Sequence, residues 1–214
     1  MASVPGRSQE LPLRRFAVGA LFVAFLVCPT ALRGQDPDSS LPSSGEVDGF
    51  LEVTARLTRV HRHNAPILGF GAFLGLGGEW RAGGAGFFLL DRIGLDIPPP
   101  LQDLELNIGY AGLFLQRSFN LSPDSPTRPE LSPRLLIGAG NAEVRDSGTE
   151  SRLRSDNFLV LEPTLSFQAA MAGRVSVGAV AAWRSVVGVE ELQNIEERSL
   201  KGWSLGLVIS FGPF

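Results

Sequence analysis

Trp203-Ser204-Leu205-Gly206-Leu207-Val208-Ile209-Ser210-Phe211 places its largest apolar residues on the odd positions and Ser, Gly, Val and Ser on the even ones. Successive side chains of a strand point to opposite faces, so this segment is a ladder with a broad apolar face and a small, mostly polar one. The apolar face needs a water-free environment. The other face leaves room for something bulkier to reach across it.

Seven further stretches upstream alternate or nearly alternate, giving eight in all: 49–60, 66–76, 79–90, 102–119, 131–144, 157–171, 175–187 and 202–212. No other stretch carries a helical period. The connections Asp91 to Leu101, Asn141 to Asp156 and Gly188 to Lys201 are long and polar, whereas Gly77-Gly78 and Ala172-Gly173-Arg174 are tight. Long loops alternating with short turns predict an all-β fold, an eight-stranded antiparallel up-and-down transmembrane β-barrel with both ends of its chain on the short-turn side. The loop His61 to Asn64 is short for an outer loop, and Asn120 to Glu130 is a longer, Pro-rich inner turn.

The charges test the strand faces, because Lys or Arg facing lipid at the midplane costs about 2–4 kcal/mol. Glu52 and Arg56 share one parity, and so do Glu162, Thr164, Ser166 and Gln168. Asp103, Glu105, Asn107 and Arg117 oppose Leu104, Leu106, Ile108, Tyr110 and Phe114, and Glu79 with Arg81 opposes Trp80. Taking the charged parity as interior predicts a lumen holding Glu52, Glu79, Asp103, Glu105 and Glu162 with Arg56, Arg81, Arg117, Arg134 and Arg184. Eight strands leave an interior that side chains fill, so opposite charges there must pair and the product is a plugged barrel. A turn at Ala172-Gly173-Arg174 sets Glu162 opposite Arg184, which predicts a bidentate bridge between them. Trp80, Tyr110, Trp183 and Trp203 fall on the lipid parity, and Arg59 alone breaks the rule, at a strand end where it can snorkel.

A soluble lipocalin-like barrel has the same strand count with its faces reversed, so parity alone leaves that alternative open. The last ladder weighs against it. Ser204, Gly206, Ile209 and Phe211 occupy in order the places of the C-terminal β-signal of outer-membrane barrels, polar, Gly, hydrophobic and aromatic. Gly109-Tyr110-x-Gly112, Phe158-x-Val160-x-Glu162-Pro163, Trp183-Arg184-x-Val186-x-Gly188-Val189, and Leu200-x-Gly202-x-Ser204 running into Phe211-Gly212-Pro213-Phe214 resemble a family of small outer-membrane barrel proteins of Gram-negative bacteria. The resemblance spans residues 49 to 214 and implies fold and outer-membrane location, with no assigned activity. Gly212-Pro213-Phe214 extends past the usual ending, so which Phe the barrel assembly machinery reads stays open.

The first 34 residues read as a signal peptide, with Arg14-Arg15 before the short apolar run Phe16 to Val27. The expected mature start lies between residues 31 and 36, and residues 35–48, rich in Pro, Ser and Asp, read as a disordered periplasmic linker. Cys28 is the single cysteine; it is lost with the leader, or lipidated if the site is a lipobox, which Val27 fits poorly. Removing the leader's four Arg and one Glu from 19 basic and 22 acidic residues leaves 15 and 21, a net charge of about −6. That balance excludes nucleic acid as a partner.

No residue pattern calls for a cofactor. His61 and His63 are the only metal-ligand candidates and lack a third ligand nearby. His61, His63 and Glu191 approach the outer rim, where lipid-modifying barrels keep their catalytic groups, but show no ordered triad spacing. The glycines between Gly69 and Gly86 alternate through strands and precede no helix, which excludes a phosphate loop. The expectation is therefore a monomeric structural or surface-interaction barrel whose charged outer loops meet lipid, lipopolysaccharide or other macromolecules. A lipid-modifying enzyme and a small-molecule conduit are the alternatives.

Overall fold

The computed structural model of the chain describes residues 48–60, 63–94, 104–146, 152–189 and 197–212. Residues 1–47, which hold the expected signal peptide, Cys28 and all of the expected linker but Asp48, lie outside these residues, as do His61, Asp103 and Glu191. Eight long strands form the body: β1 (Gly49–Val60), β2 (His63–Gly77), β3 (Trp80–Leu89), β5 (Leu104–Arg117), β7 (Glu130–Asp146), β8 (Arg152–Ala172), β9 (Val175–Val187) and β10 (Gly202–Phe211). Two-residue strands β4 (Ile93–Gly94) and β6 (Phe119–Asn120) flank β5 and β7, and a single helical turn, α1 (Glu197–Leu200), precedes β10. Each long strand pairs antiparallel with its neighbour in sequence, β1 pairs with β10, and β5 pairs with β7, so the ring closes with no free edge around its body. Among the described residues no helix is long and apolar enough to cross a membrane.

Turn chemistry fixes the hairpins. Gly77 and Gly78 at φ 99° and 61° join β2 to β3, and Gly173 at φ 51° joins β8 to β9. These left-handed values suit residues without a β-carbon. The β8–β9 register places Val160 opposite Val186 and Thr164 opposite Ala182, as the turn predicts, so Glu162 and Arg184 occupy facing positions.

The outer surface is apolar along the strands. Leu57, Leu113, Ile137, Leu159, Leu205 and Leu207 are all exposed, and Trp183 and Trp203 meet edge to face on adjacent strands with centroids 5.0 Å apart. Water would penalise such a face at roughly 25 cal/mol per Å² of apolar area. The soluble alternative needs the apolar parity around a cavity and the charged parity outside; here the faces are the other way round. In β10 the interior is made by Ser204, Gly206, Val208 and Ser210. A β-carbon on Gly206 would meet the Ala55 carbonyl and come within 2.6 Å of the Arg56 Cα, so this glycine lets β1 and β10 close and leaves Arg56 its space.

β5 corrects the sequence reading. Its even positions, Leu106, Ile108, Tyr110, Phe114 and Gln116, are buried inside, and Glu105 and Arg117 lie on the outward parity at the two strand ends. Tyr110 is therefore an interior residue and not a lipid-facing one. Glu79 sits in the β2–β3 turn, half exposed, and pairs with Arg117 at 2.9 Å, while Glu105 pairs with Arg92 at 3.0 Å. Glu79, Glu105 and Arg117 are rim groups and not lumen groups. The physical reason lies in the lumen, whose loop-end half is itself apolar. Val60, Leu106, Val186 and Leu200 are fully buried there beside Ile93 and Phe158.

Candidate functional site

The interior charges are stacked in layers along the barrel axis, and they pair across the lumen, between strands that are not neighbours in the sheet. Glu52 projects from β1 and Arg134 from β7, diametrically opposite in the ring. Their contacts are bidentate, Nη1 to Oε1 at 2.7 Å and Nη2 to Oε2 at 2.6 Å. Gln116 accepts two further N–H bonds from Arg134, at 2.9 and 2.6 Å, and the guanidinium lies 4.3 Å from the Phe114 ring centre. This fork-to-fork geometry, with the spare donors taken by an amide, is what offsets the desolvation of a buried pair.

One layer toward the loop end, Arg56 Nη1 donates to Glu162 Oε1 at 2.8 Å. Tyr110 Oη donates to Glu162 Oε2 at 2.5 Å, and Arg56 Nη2 reaches the same phenol at 3.3 Å. Arg56 stacks 4.1 Å from the Phe87 centroid. The expected Glu162–Arg184 bridge does not form. Although the two residues face each other across β8 and β9, Arg184 donates through Nε to the Leu200 carbonyl at 2.8 Å and lies over the Tyr110 ring. Its Nη2 and the Arg56 Nε are buried without a partner. Glu162 instead reaches into the lumen, where Arg56 and Tyr110 converge on its two oxygens.

Toward the turn end, Arg81 grips Glu130 with bonds of 2.8 and 2.9 Å, Ser132 donates to Glu130 at 2.6 Å, and Arg81 stacks on Phe50. The predicted lumen residues Glu52, Arg56, Arg81, Arg134, Glu162 and Arg184 thus meet interior partners, whereas Glu79 and Glu105 stay at the rims. Tyr110, Gln116, Glu130 and the stacking aromatics carry no charge pattern that flags them, apart from Glu130, which sits at the end of a Pro-rich turn.

Between the two lumen-crossing layers the cavity lined by Glu52, Arg56, Arg134 and Glu162 has a volume of about 10 Å³. That is about the size of one water and far below a channel. At the loop end, α1 folds over the barrel. The Glu197 carboxylate accepts the Gly188 amide at 2.9 Å and the Lys201 ammonium at 3.1 Å, and these hold its carboxyl below the ordinary value. Among the described residues no group of three or more His, Cys, Asp or Glu comes together to hold a metal. His63 is described and His61 is not, so the paired-histidine candidate is incomplete in the structure; of the rim cluster that a lipid-modifying enzyme would need, His61 and Glu191 lie outside the described residues.

Closed antiparallel ring, apolar exterior and charge-filled interior together define a small eight-stranded up-and-down barrel with a wall suited to lipid. Solved structures carry the same likeness in fold. Neisserial surface protein A is 11% identical, with 77% of this chain and 96% of that chain covered and a TM-score of 0.53. Ail, the attachment invasion locus protein of Yersinia pestis, is 12% identical over 78% of this chain and 97% of its own, with a TM-score of 0.46. The N-terminal barrel domain of Pseudomonas aeruginosa OprF is 13% identical over 78% and 99%, also at 0.46. No protein-family model and no curated protein matches the sequence.

Proposed function

We propose that the chain is a monomeric integral outer-membrane barrel with a charge-paired, non-conducting interior, and that it serves a structural or surface-interaction role through its loop end. The observation that carries this reading is the pair of lumen-crossing contacts, Glu52 with Arg134 and Arg56 with Glu162, around a void no larger than a water. An interior held shut this way has no path for solute, and the apolar plug of Leu106, Val186 and Leu200 closes the loop end above it. The polar surface gathers where β5, β7 and β8 continue outward. Val187, the last residue of β9, pairs with Leu159, so β8 extends seven residues further, to Arg152. That extension carries Arg154 and Asp156, and the part of β7 paired with it carries Glu143 and Arg145, charges suited to lipopolysaccharide phosphates, divalent ions or another macromolecule.

Planar-bilayer recording of the purified, refolded chain tests the closed interior. The expected result is no steady ion conductance above the bare bilayer; a stable open-channel current overturns it. Membrane fractionation with a heat-modifiable gel shift tests the location, and a soluble product would contradict it.

A further inference from the structure

The short-turn end of the barrel holds a cavity of about 240 Å³, much larger than the void between the ion pairs. Its lining includes Glu79, Arg81, Asn120, Arg128, Glu130 and Gln168. The Pro-rich connection between β6 and β7 walls one side and is pinned by the Ala170 amide donating to the Thr127 carbonyl at 2.7 Å. Arg128 in that wall is held at φ 37°, a left-handed backbone that a β-carbon disfavours, and among the described residues it is the only such residue other than glycine. Strain of this kind concentrates at binding and switch positions.

The hydrogen-bonding balance of the lining is one-sided. Gln168 Oε1 accepts from Ser176 and Ser210, each at 2.8 Å. Glu130 is filled by Arg81 and Ser132, Glu79 is engaged by Arg117, and Asn120 Oδ1 accepts the Ser122 amide at 3.3 Å. Apart from Glu79 Oε1 on the exposed rim these side-chain acceptors are taken, and donors remain: the Gln168 amide N–H₂, the Asn120 amide N–H₂ and the N–H groups of Arg81 not turned toward Glu130. Gln168 is the telling one. It is 5% exposed, its oxygen has two partners, and no described residue accepts from its nitrogen.

We propose that this vestibule binds the carboxylate of a small molecule or of a peptide terminus, received by the amides of Gln168 and Asn120 and by Arg81. Arg81 is already neutralised by Glu130, so the site offers directed donors with little net positive charge, which suits a single carboxylate better than a phosphate dianion. The volume falls below the 300–1,000 Å³ usual for drug-sized ligands, which limits the ligand to a small acid or the last residues of a chain. The site belongs to the end of the barrel with the short turns, so it stands apart from the surface role proposed for the loop end.

The test is an NMR titration of the full mature chain in detergent or nanodiscs, following the side-chain amides of Gln168 and Asn120 and the backbone amide of Ser118. Succinate, triglycine, triglycine amide and inorganic phosphate are the probes. Saturable shifts with triglycine but neither its amide nor succinate assign a peptide terminus; shifts with succinate as well assign a free carboxylate. Gln168→Glu, which exchanges the donor for an acceptor, is expected to weaken binding at least tenfold, and Asn120→Leu, on the exposed rim, is expected to weaken it while leaving the barrel folded. Absence of shifts with both carboxylates, tighter binding of phosphate, or binding unchanged in Asn120→Leu overturns the proposal.

Discussion

Arg134 and Glu52 meet across the full width of the barrel, from β7 to β1, through two parallel bonds of 2.7 and 2.6 Å. Neither is the other's neighbour in any ladder, since Glu52 lies beside Gly71 and Ser210, and Arg134 beside Gln116 and Thr164. The small flanking residues Gly71 and Ser210 clear the path that the long side chains take. A strut of this kind couples opposite walls of the ring, so its loss is felt by the whole fold.

Removing one end of the strut leaves a buried charge without its partner. Arg134→Met is expected to destabilise the barrel by about 3–5 kcal/mol, and Arg134→Met combined with Glu52→Leu by clearly less than the two single losses added together. Urea unfolding in lipid vesicles, read by tryptophan fluorescence and gel mobility, measures each. Additive losses would show that the two side chains do not depend on each other.

The middle layer separates the pairing found from the pairing the turn suggests. A double-mutant cycle on Arg56 and Glu162 is expected to give a coupling above about 1 kcal/mol, whereas the cycle on Arg184 and Glu162 is expected to give less than about 0.5 kcal/mol. Tyr110→Phe deletes the donor to Glu162 and is expected to cost about 1–3 kcal/mol, the range for leaving a buried charged acceptor short of a partner. A larger coupling for Arg184 than for Arg56 would restore the ladder bridge.

How far these contacts can be read in advance follows from what hydropathy measures. β10 and β8 reveal their faces because one side is uniformly large and apolar and the other small or polar. β5 does not, because Leu106 and Ile108 are packed in an apolar plug and Leu113 and Leu115 face outward: both surroundings are apolar, so alternation loses its sign. Its charges, Glu105 and Arg117, sit at strand ends where the interior rule no longer applies. Register is local, so the turn places Glu162 opposite Arg184 in the structure as it does in sequence. Partner choice inside the lumen depends on strand tilt and ring closure, which bring β1 to face β7 and β8, and no short-range spacing encodes that.

The cap at the loop end should respond to acid. Glu197 is hydrogen-bonded by Gly188 and Lys201 in the folded chain, which depresses its pKa below its ordinary 4.5. A carboxylate with a depressed folded pKa contributes its stabilisation fully above the unfolded value and loses it as pH falls through the folded one. The Gly188 amide proton resonance should therefore titrate with a midpoint below 4.5 and stop titrating in Glu197→Gln; an unchanged titration in that variant would assign it to another group.

The outward face decides between lipid and water. Leu207 lies in the interior of β10 with Leu205 and Ile209 on the same face, and in the structure it is 64% exposed. On a soluble barrel, Leu207→Arg at such a position would leave stability within about 0.5 kcal/mol and improve solubility. In a bilayer it places a guanidinium near the hydrocarbon midplane, at a cost of about 2–4 kcal/mol. Arg59, also outward but next to the end of β1, sits where that penalty falls to about 0–1 kcal/mol, so Arg59→Leu should change little. Refolding into vesicles over a urea series measures both variants. A large loss for Leu207→Arg beside a small change for Arg59→Leu is the depth profile expected of a membrane wall, and two equally small changes would remove the membrane from the account of this surface.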